Sequence, residues 1–276
     1  MDNYKDRIKT SIEKCENVRS MALRREITIF DLMEQTTQIT RDIIIDEFRR
    51  YAPQKEMAVF FHGSASRNEM VTHSDVDILF IETKPCNKAI KNILRTLIYG
   101  FGKADKFETQ KQNRIEKYVK HSLTDRDKIL FAQFIVGDTS ILQWMDNLKS
   151  RENIIGSNTE HIFFQQYHLR NYYYINSNKK EIHNVKYQNG GTYDLLIYNM
   201  FDNAMSMYRG NDWMREPESN RPKIESTLKN MNKNGILSDS EYDDVKVAAE
   251  FMILLRISID PLEYLQHFEH HQNLLL

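Results

Sequence analysis

Two short apolar runs, Ala58-Val59-Phe60-Phe61 and Ile78-Leu79-Phe80-Ile81, bracket a polar stretch with turn-forming residues. Continuous runs of this length, rich in aromatic and β-branched residues, read as buried strands, here over 57–61 and 76–82. Before them, Ile8, Ile12, Cys15, Val18 and Ala22 recur at helical spacing and predict a helix over about residues 5–25. A second helix is predicted over about 28–51, carrying Ile29, Met33, Ile43, Ile44, Phe48 and Tyr51, and Pro53 stops it. After the second strand, Ile90, Ile93, Leu94, Leu97 and Ile98 share one helix face, and a third strand is expected near 102–109. From about residue 111 the chain reads as helical almost to its end. The apolar stripes there are Ile129/Leu130/Phe134, Ile141/Leu142/Met145/Leu148 and Val247/Phe251/Leu254/Leu255. Two loops interrupt that run. One is the Asn- and Gly-rich stretch 176–191, with Thr192 placed to cap a helix over 193–207; the other surrounds Gly210 and Pro217–Pro222.

The link between the two strands carries the candidate chemistry. Gly63-Ser64 follows the first strand, ten residues intervene, and Asp75-Val76-Asp77 opens the second. Side chains alternate along a strand, so Asp75 and Asp77 point to one side. Two carboxylates so close repel each other unless a cation lies between them. Hard oxygen ligands of this kind suit Mg²⁺. A Gly-Ser turn brings backbone N–H groups and a hydroxyl close to phosphate oxygens. Asp75 and Asp77 are therefore the expected metal ligands and catalytic residues, and Gly63 and Ser64 the expected triphosphate ligands. Arg67 is expected as a further phosphate contact through its guanidinium, or as an ion-pair partner of Glu69. Glu69 reads as structural, and His62 and His73 as packing or exposed residues.

Gly63-Ser64 followed by Asp75-Val76-Asp77 between apolar segments resembles the DNA polymerase β-like nucleotidyltransferase superfamily. The spacer, with Arg67-Asn68-Glu69-Met70 and then Ser74-Asp75-Val76-Asp77, is similar to the form found in PII-protein uridylyltransferases, glutamine synthetase adenylyltransferases and their short relatives. Asn68 stands where that pattern usually has Gly. A second segment, Asn184 to Leu195, resembles another stretch of the same enzymes, with Lys186, Gly190, Gly191 and Asp194 at matching spacing and Thr192-Tyr193 in place of Leu-Arg. Phe134-Ile135-Val136-Gly137-Asp138 echoes a third, with Gln133 at its Arg position. The resemblance spans about 60–195.

It implies an α+β fold: a small mixed-sheet nucleotidyltransferase domain over 53–125, N-terminal helices over 1–52, and a C-terminal helical bundle over 126–276 that closes over the substrate. It also implies Mg²⁺ as cofactor, in a two-metal site, and a nucleoside triphosphate as co-substrate. Lys186 joins the nucleotide-binding residues, with Gly190-Gly191 as a second anion site and Asp194 as an orienting group. A third carboxylate of the superfamily falls on Glu108 or Asp105. No His-Asp metal motif accompanies His267, His270 and His271, so no phosphohydrolase activity is expected.

Composition narrows the partners. The chain has 276 residues, with 38 Lys and Arg against 39 Asp and Glu, giving a formal net charge of −1. Such a balance gives no general pull on a polyanion, so nucleic acid is not an expected partner. The two cysteines, Cys15 and Cys86, lack metal-ligand spacing and suit a reducing, cytoplasmic setting. No apolar run approaches the roughly 20 residues that span a bilayer. The expected activity is transfer of a nucleoside monophosphate, UMP or AMP, from NTP to a hydroxyl on a protein side chain, with release of pyrophosphate. The alternatives are a small-molecule nucleotidyltransferase of the aminoglycoside-modifying kind and a catalytically silent nucleotide-binding module.

Overall fold

The structure is a computed structural model, and it describes residues 4–51, 56–72, 74, 76–83, 107–111, 115–116, 129, 132–149 and 222–275. Helix α1 (Tyr4–Leu23) and helix α2 (Ile29–Tyr51) form a hairpin. Its turn is fixed by a reciprocal pair of bonds. The Thr28 backbone N–H donates to the Asp31 carboxylate at 3.1 Å, and the Asp31 N–H donates to the Thr28 hydroxyl at 3.1 Å. This satisfies donors that a helix start otherwise leaves open. The other end is clamped by Arg7, whose Nε and Nη2 lie 2.6 and 3.0 Å from the buried Glu47 carboxylate.

Strands β1 (Met57–Phe61), β2 (Ile78–Glu82), β3 (Phe107–Lys111) and β4 (Gln133–Gly137) form one sheet in the order β3-β2-β1-β4. β1 is antiparallel to both neighbours, and β2 is parallel to β3. β1 and β2 are buried along their whole length because helices cover both faces. On one face Met57, Val59, Phe61, Ile78 and Phe80 pack with Ile43, Ile44 and Phe48 of α2. On the other, Ala58, Phe60, Leu79 and Ile81 pack with Ile141, Met145 and Leu148 of helix α4 (Thr139–Leu148). A single short turn of helix, α3 (Gly63–Ser66), follows β1.

The last described elements are α5 (Lys223–Lys233) and α6 (Asp239–Leu275). Ile224, Leu228, Ala249, Ile253 and Ile257 from these helices share a core with Val18, Ala22, Phe30 and Leu32 from α1 and α2. The N-terminal hairpin and the C-terminal helices thus form one packed body, across more than half of the chain. Val71, from the segment between α3 and β2, is buried in that same core.

Helices beside a small sheet are the α+β arrangement expected from the sequence. Two expectations are corrected. Residues 133–137 lie in a run read as helical but form β4. Phe134-Ile135-Val136 is a short apolar run, which periodicity alone does not assign, and pairing with β1 decides it. The stripe through Val247 and Phe251 is not the core face of α6: these residues are 64% and 58% exposed. The buried face is Ala249/Ile253/Ile257, one step around the helix. The helix face over 90–98 and the loops at 176–191 and 210–221 lie outside the described residues. Among the described residues, no helix is long and apolar enough to cross a membrane.

Candidate functional site

The β1–β2 ladder runs one step past the strands. The His62 backbone N–H donates to the Asp77 carbonyl at 3.0 Å, which sets Asp77 beside Gly63. Gly63 has φ +60, a left-handed conformation that costs little only for glycine. Glycine is required for a second reason. A Cβ at this position would stand 2.0 Å from Oδ2 of Asp77, so the carboxylate occupies the space a side chain would fill. The Gly-Ser turn and the second Asp of the sequence motif are therefore in direct contact.

The turn after Gly63 is tightly hydrogen-bonded. The Ser66 hydroxyl and Arg67 Nη1 both donate to the Gly63 carbonyl, at 3.0 and 2.7 Å. The N–H groups of Arg67 and Glu69 converge on the Ser64 carbonyl at 3.2 and 3.0 Å. Arg67 Nε pairs with Glu69 Oε2 at 2.7 Å, so the ion pair foreseen as one option for Arg67 is present. Glu69 Oε1 accepts from the Ile224 N–H at 3.0 Å, and the Arg67 carbonyl accepts from the Lys223 N–H at 2.9 Å. Ser64 is half-buried on this turn. His62 is buried and precedes α3.

Asn68 adopts φ +56. Asn is one of the few residues that tolerates this region, so a position where the resembling pattern has Gly can hold it without changing the backbone. Its side chain is also used. Arg41 Nη2, from α2, donates to Asn68 Oδ1 at 3.0 Å and to Gln133 Oε1 at 2.7 Å, with the guanidinium 6.0 Å from the centre of the Phe61 ring. Two of the departures from the pattern, Asn68 and Gln133, thus meet on one guanidinium. The sequence gives no sign of this. Arg41 lies on a helical stretch with no motif, and only the fold brings the three residues together.

Further along, the Met70 N–H donates to the Thr37 hydroxyl of α2 at 3.2 Å. Val71 and Ser74 close a small turn just before Asp75. Ser74 therefore shapes the entry to the second strand.

Gly137-Asp138 builds the fold. Gly137 has φ +125, and a Cβ there would lie 2.2 Å from the Met57 carbonyl oxygen and 2.6 Å from the Ala58 Cα. The Asp138 carboxylate caps α4 by accepting from the Ser140 N–H at 2.8 Å, and accepts from the Glu56 N–H at 2.8 Å. This is the side-chain capping that a helix N-terminus favours.

Of the remaining expected site residues, Asp75, His73, Asp105, Lys186, Gly190, Gly191 and Asp194 lie outside the described residues. Glu108 is on β3, its Cα opposite Leu79. Among the described residues, no group of three or more His, Cys, Asp or Glu gathers as a metal site. Comparison with family models and with curated proteins finds no match for this chain.

Proposed function

We propose that this chain is a Mg²⁺-dependent nucleotidyltransferase that moves UMP or AMP from the corresponding triphosphate to a hydroxyl, with a protein side chain as acceptor. The observation that carries this reading is the contact of the Asp77 carboxylate with Gly63. A phosphate-binding turn and a metal-binding carboxylate must adjoin if a metal ion is to bridge the protein and the triphosphate. The left-handed Gly63, with no room for a Cβ, serves that adjacency directly. The strand–turn–strand frame and the resemblance in the 63–77 spacer support it further. On this proposal the sheet and its helices form a polymerase β-like fold.

The donor chemistry fits the metal. Asp77, with Asp75 two residues before it in the chain, offers hard carboxylate oxygens of the type Mg²⁺ prefers. When bound, the metal neutralises charge on the transferring and leaving phosphates. Gly63 and Ser64 cradle the triphosphate, and Lys186 is assigned to it by the resemblance. In the reaction the acceptor oxygen bonds to the α-phosphorus while the bond to the α,β-bridging oxygen breaks. Pyrophosphate leaves, and the hydroxyl proton passes to a base, for which Glu108 and Asp105 are the candidates.

The test is incubation of the purified protein with each α-labelled NTP and Mg²⁺, with and without cell lysate, beside an Asp77→Ala control. A labelled protein that disappears in the control supports the proposal, and the preferred NTP names the modification. Label on a small molecule instead would move the acceptor to that class. Absence of both label and nucleotide binding would refute the reading.

A further inference from the structure

Resting on that reading, we infer that Arg67 and Glu69 are positioning residues. Together they fix the Gly63 turn to the C-terminal helices, and Arg67 is not a phosphate ligand. A continuous path of contacts joins the turn to α5. Glu69 lies at its centre, with Oε2 on Arg67 Nε at 2.7 Å and Oε1 on the Ile224 N–H at 3.0 Å, in the first turn of α5. Arg67 reaches back from the pair to the Gly63 carbonyl at 2.7 Å. Gly63 in turn carries the Asp77 carboxylate against its Cα. A parallel backbone link runs from the Lys223 N–H to the Arg67 carbonyl at 2.9 Å.

Both partners of the pair are largely shielded, with side chains 12% and 15% exposed. A shielded pair loses more when one member is removed than an exposed pair does, because the other charge is left unmatched. Arg67 directs Nε and Nη1 to acceptors inside the protein, and Glu69 spends one oxygen on each of two elements. The geometry therefore sets the turn by way of α5, about 155 residues further along the chain. Val71 carries the same connection in apolar form, buried among Ile224, Leu228 and Ile253.

Four variants separate this role from direct phosphate binding: Glu69→Gln, Arg67→Met, their double, and Lys223→Pro. The last changes the α5 end of the link. Position 223 begins α5, where proline is well tolerated, and Pro222 already has the extended backbone (φ −54, ψ 136) that a following proline requires. The ring removes the N–H that bonds the Arg67 carbonyl, and Lys223→Ala, which keeps that N–H, controls for the lost side chain.

A misplaced reacting group costs on the order of a hundredfold in rate. Glu69→Gln and Arg67→Met should each lower kcat by about that factor. The double should lose no more than the worse single, because both break one path. Amide exchange at Arg67 and Glu69, whose N–H groups bond the Ser64 carbonyl, should quicken in Glu69→Gln and in Lys223→Pro.

The inference is overturned if Arg67→Met loses triphosphate affinity in calorimetry while Glu69→Gln and Lys223→Pro behave as wild type. Unchanged exchange in both of those variants also overturns it. If the wild-type protein neither binds nor transfers a nucleotide, the proposed function fails, and exchange alone still decides whether the pair holds the turn.

Discussion

Two turns leave neighbouring strands of this sheet through a glycine with positive φ, and they do different work. At Gly63, after β1, the missing Cβ makes room for a side chain, the Asp77 carboxylate. At Gly137, the last residue of β4, it makes room for the backbone of Met57 and Ala58. The residue that follows matches each role. Ser64 offers a hydroxyl on the turn, whereas Asp138 spends both carboxylate oxygens on the N–H groups of Ser140 and Glu56. Both glycines look alike in a motif. The group each one admits tells a site from a joint.

The contrast can be broken most sharply at Asp77. Asp77→Ala should leave the fold intact and reduce nucleotidyl transfer by on the order of a thousandfold or more, a loss of the size seen when a transition-state charge loses a stabilising group. Transfer at the wild-type rate would remove Asp77 from the metal site.

Gly137→Ala should do the reverse, destabilising the protein by on the order of 3–4 kcal/mol, because the new methyl meets fixed backbone in a left-handed conformation. Denaturant unfolding measures it. The buried Cys15 gives a second readout. Burial pushes its thiol up to about 12, so it stays protonated at neutral pH, and alkylation of its peptide reports opening of the fold.

Gly63→Ala sharpens the comparison further. It should cost about 1–2 kcal/mol for the left-handed backbone, plus the displacement of Asp77. Adding Asp77→Ala should return the second part, so the pair is non-additive in stability. No side-chain deletion can relieve Gly137→Ala in the same way, since its obstacle is main chain. An additive Gly63/Asp77 pair would show that the two residues do not share that space.

The smallest expected effect is that of Asp138→Ala. It should cost about 1–2 kcal/mol by uncapping α4 and leaving the Glu56 N–H without its acceptor. Transfer by the folded fraction should be unchanged. A specific loss of activity would give this turn a role in the site after all.

Much was legible in the sequence where local physics decides. The periodicity of Ile8, Cys15, Val18 and Ala22 marked α1, and Pro53 stands just beyond the end of α2 at Tyr51. The apolar runs marked β1 and β2, because a strand covered on both faces needs no alternation. The spacing from Gly63 to Asp77 pointed to one locus, and the fold brings these two residues into contact.

Only tertiary structure decided the rest. Residues 133–137 became β4 because β1 offered an open edge, which no local pattern records. Phe251 had the composition of a core residue and lies outward, because which face of a helix is covered depends on where its neighbours lie. Asn68 and Gln133 read as losses from a pattern until Arg41 arrived from α2 to bond both. The Arg67–Glu69 pair was one of two readings open to the sequence, but the bond from the Ile224 N–H of α5 to Glu69 spans 155 residues, which spacing cannot express. Backbone conformation and helical or strand period are short-range properties, so the sequence holds them. A charge's partner is chosen by whatever the folded chain brings within about 3 Å, and that is settled only by packing.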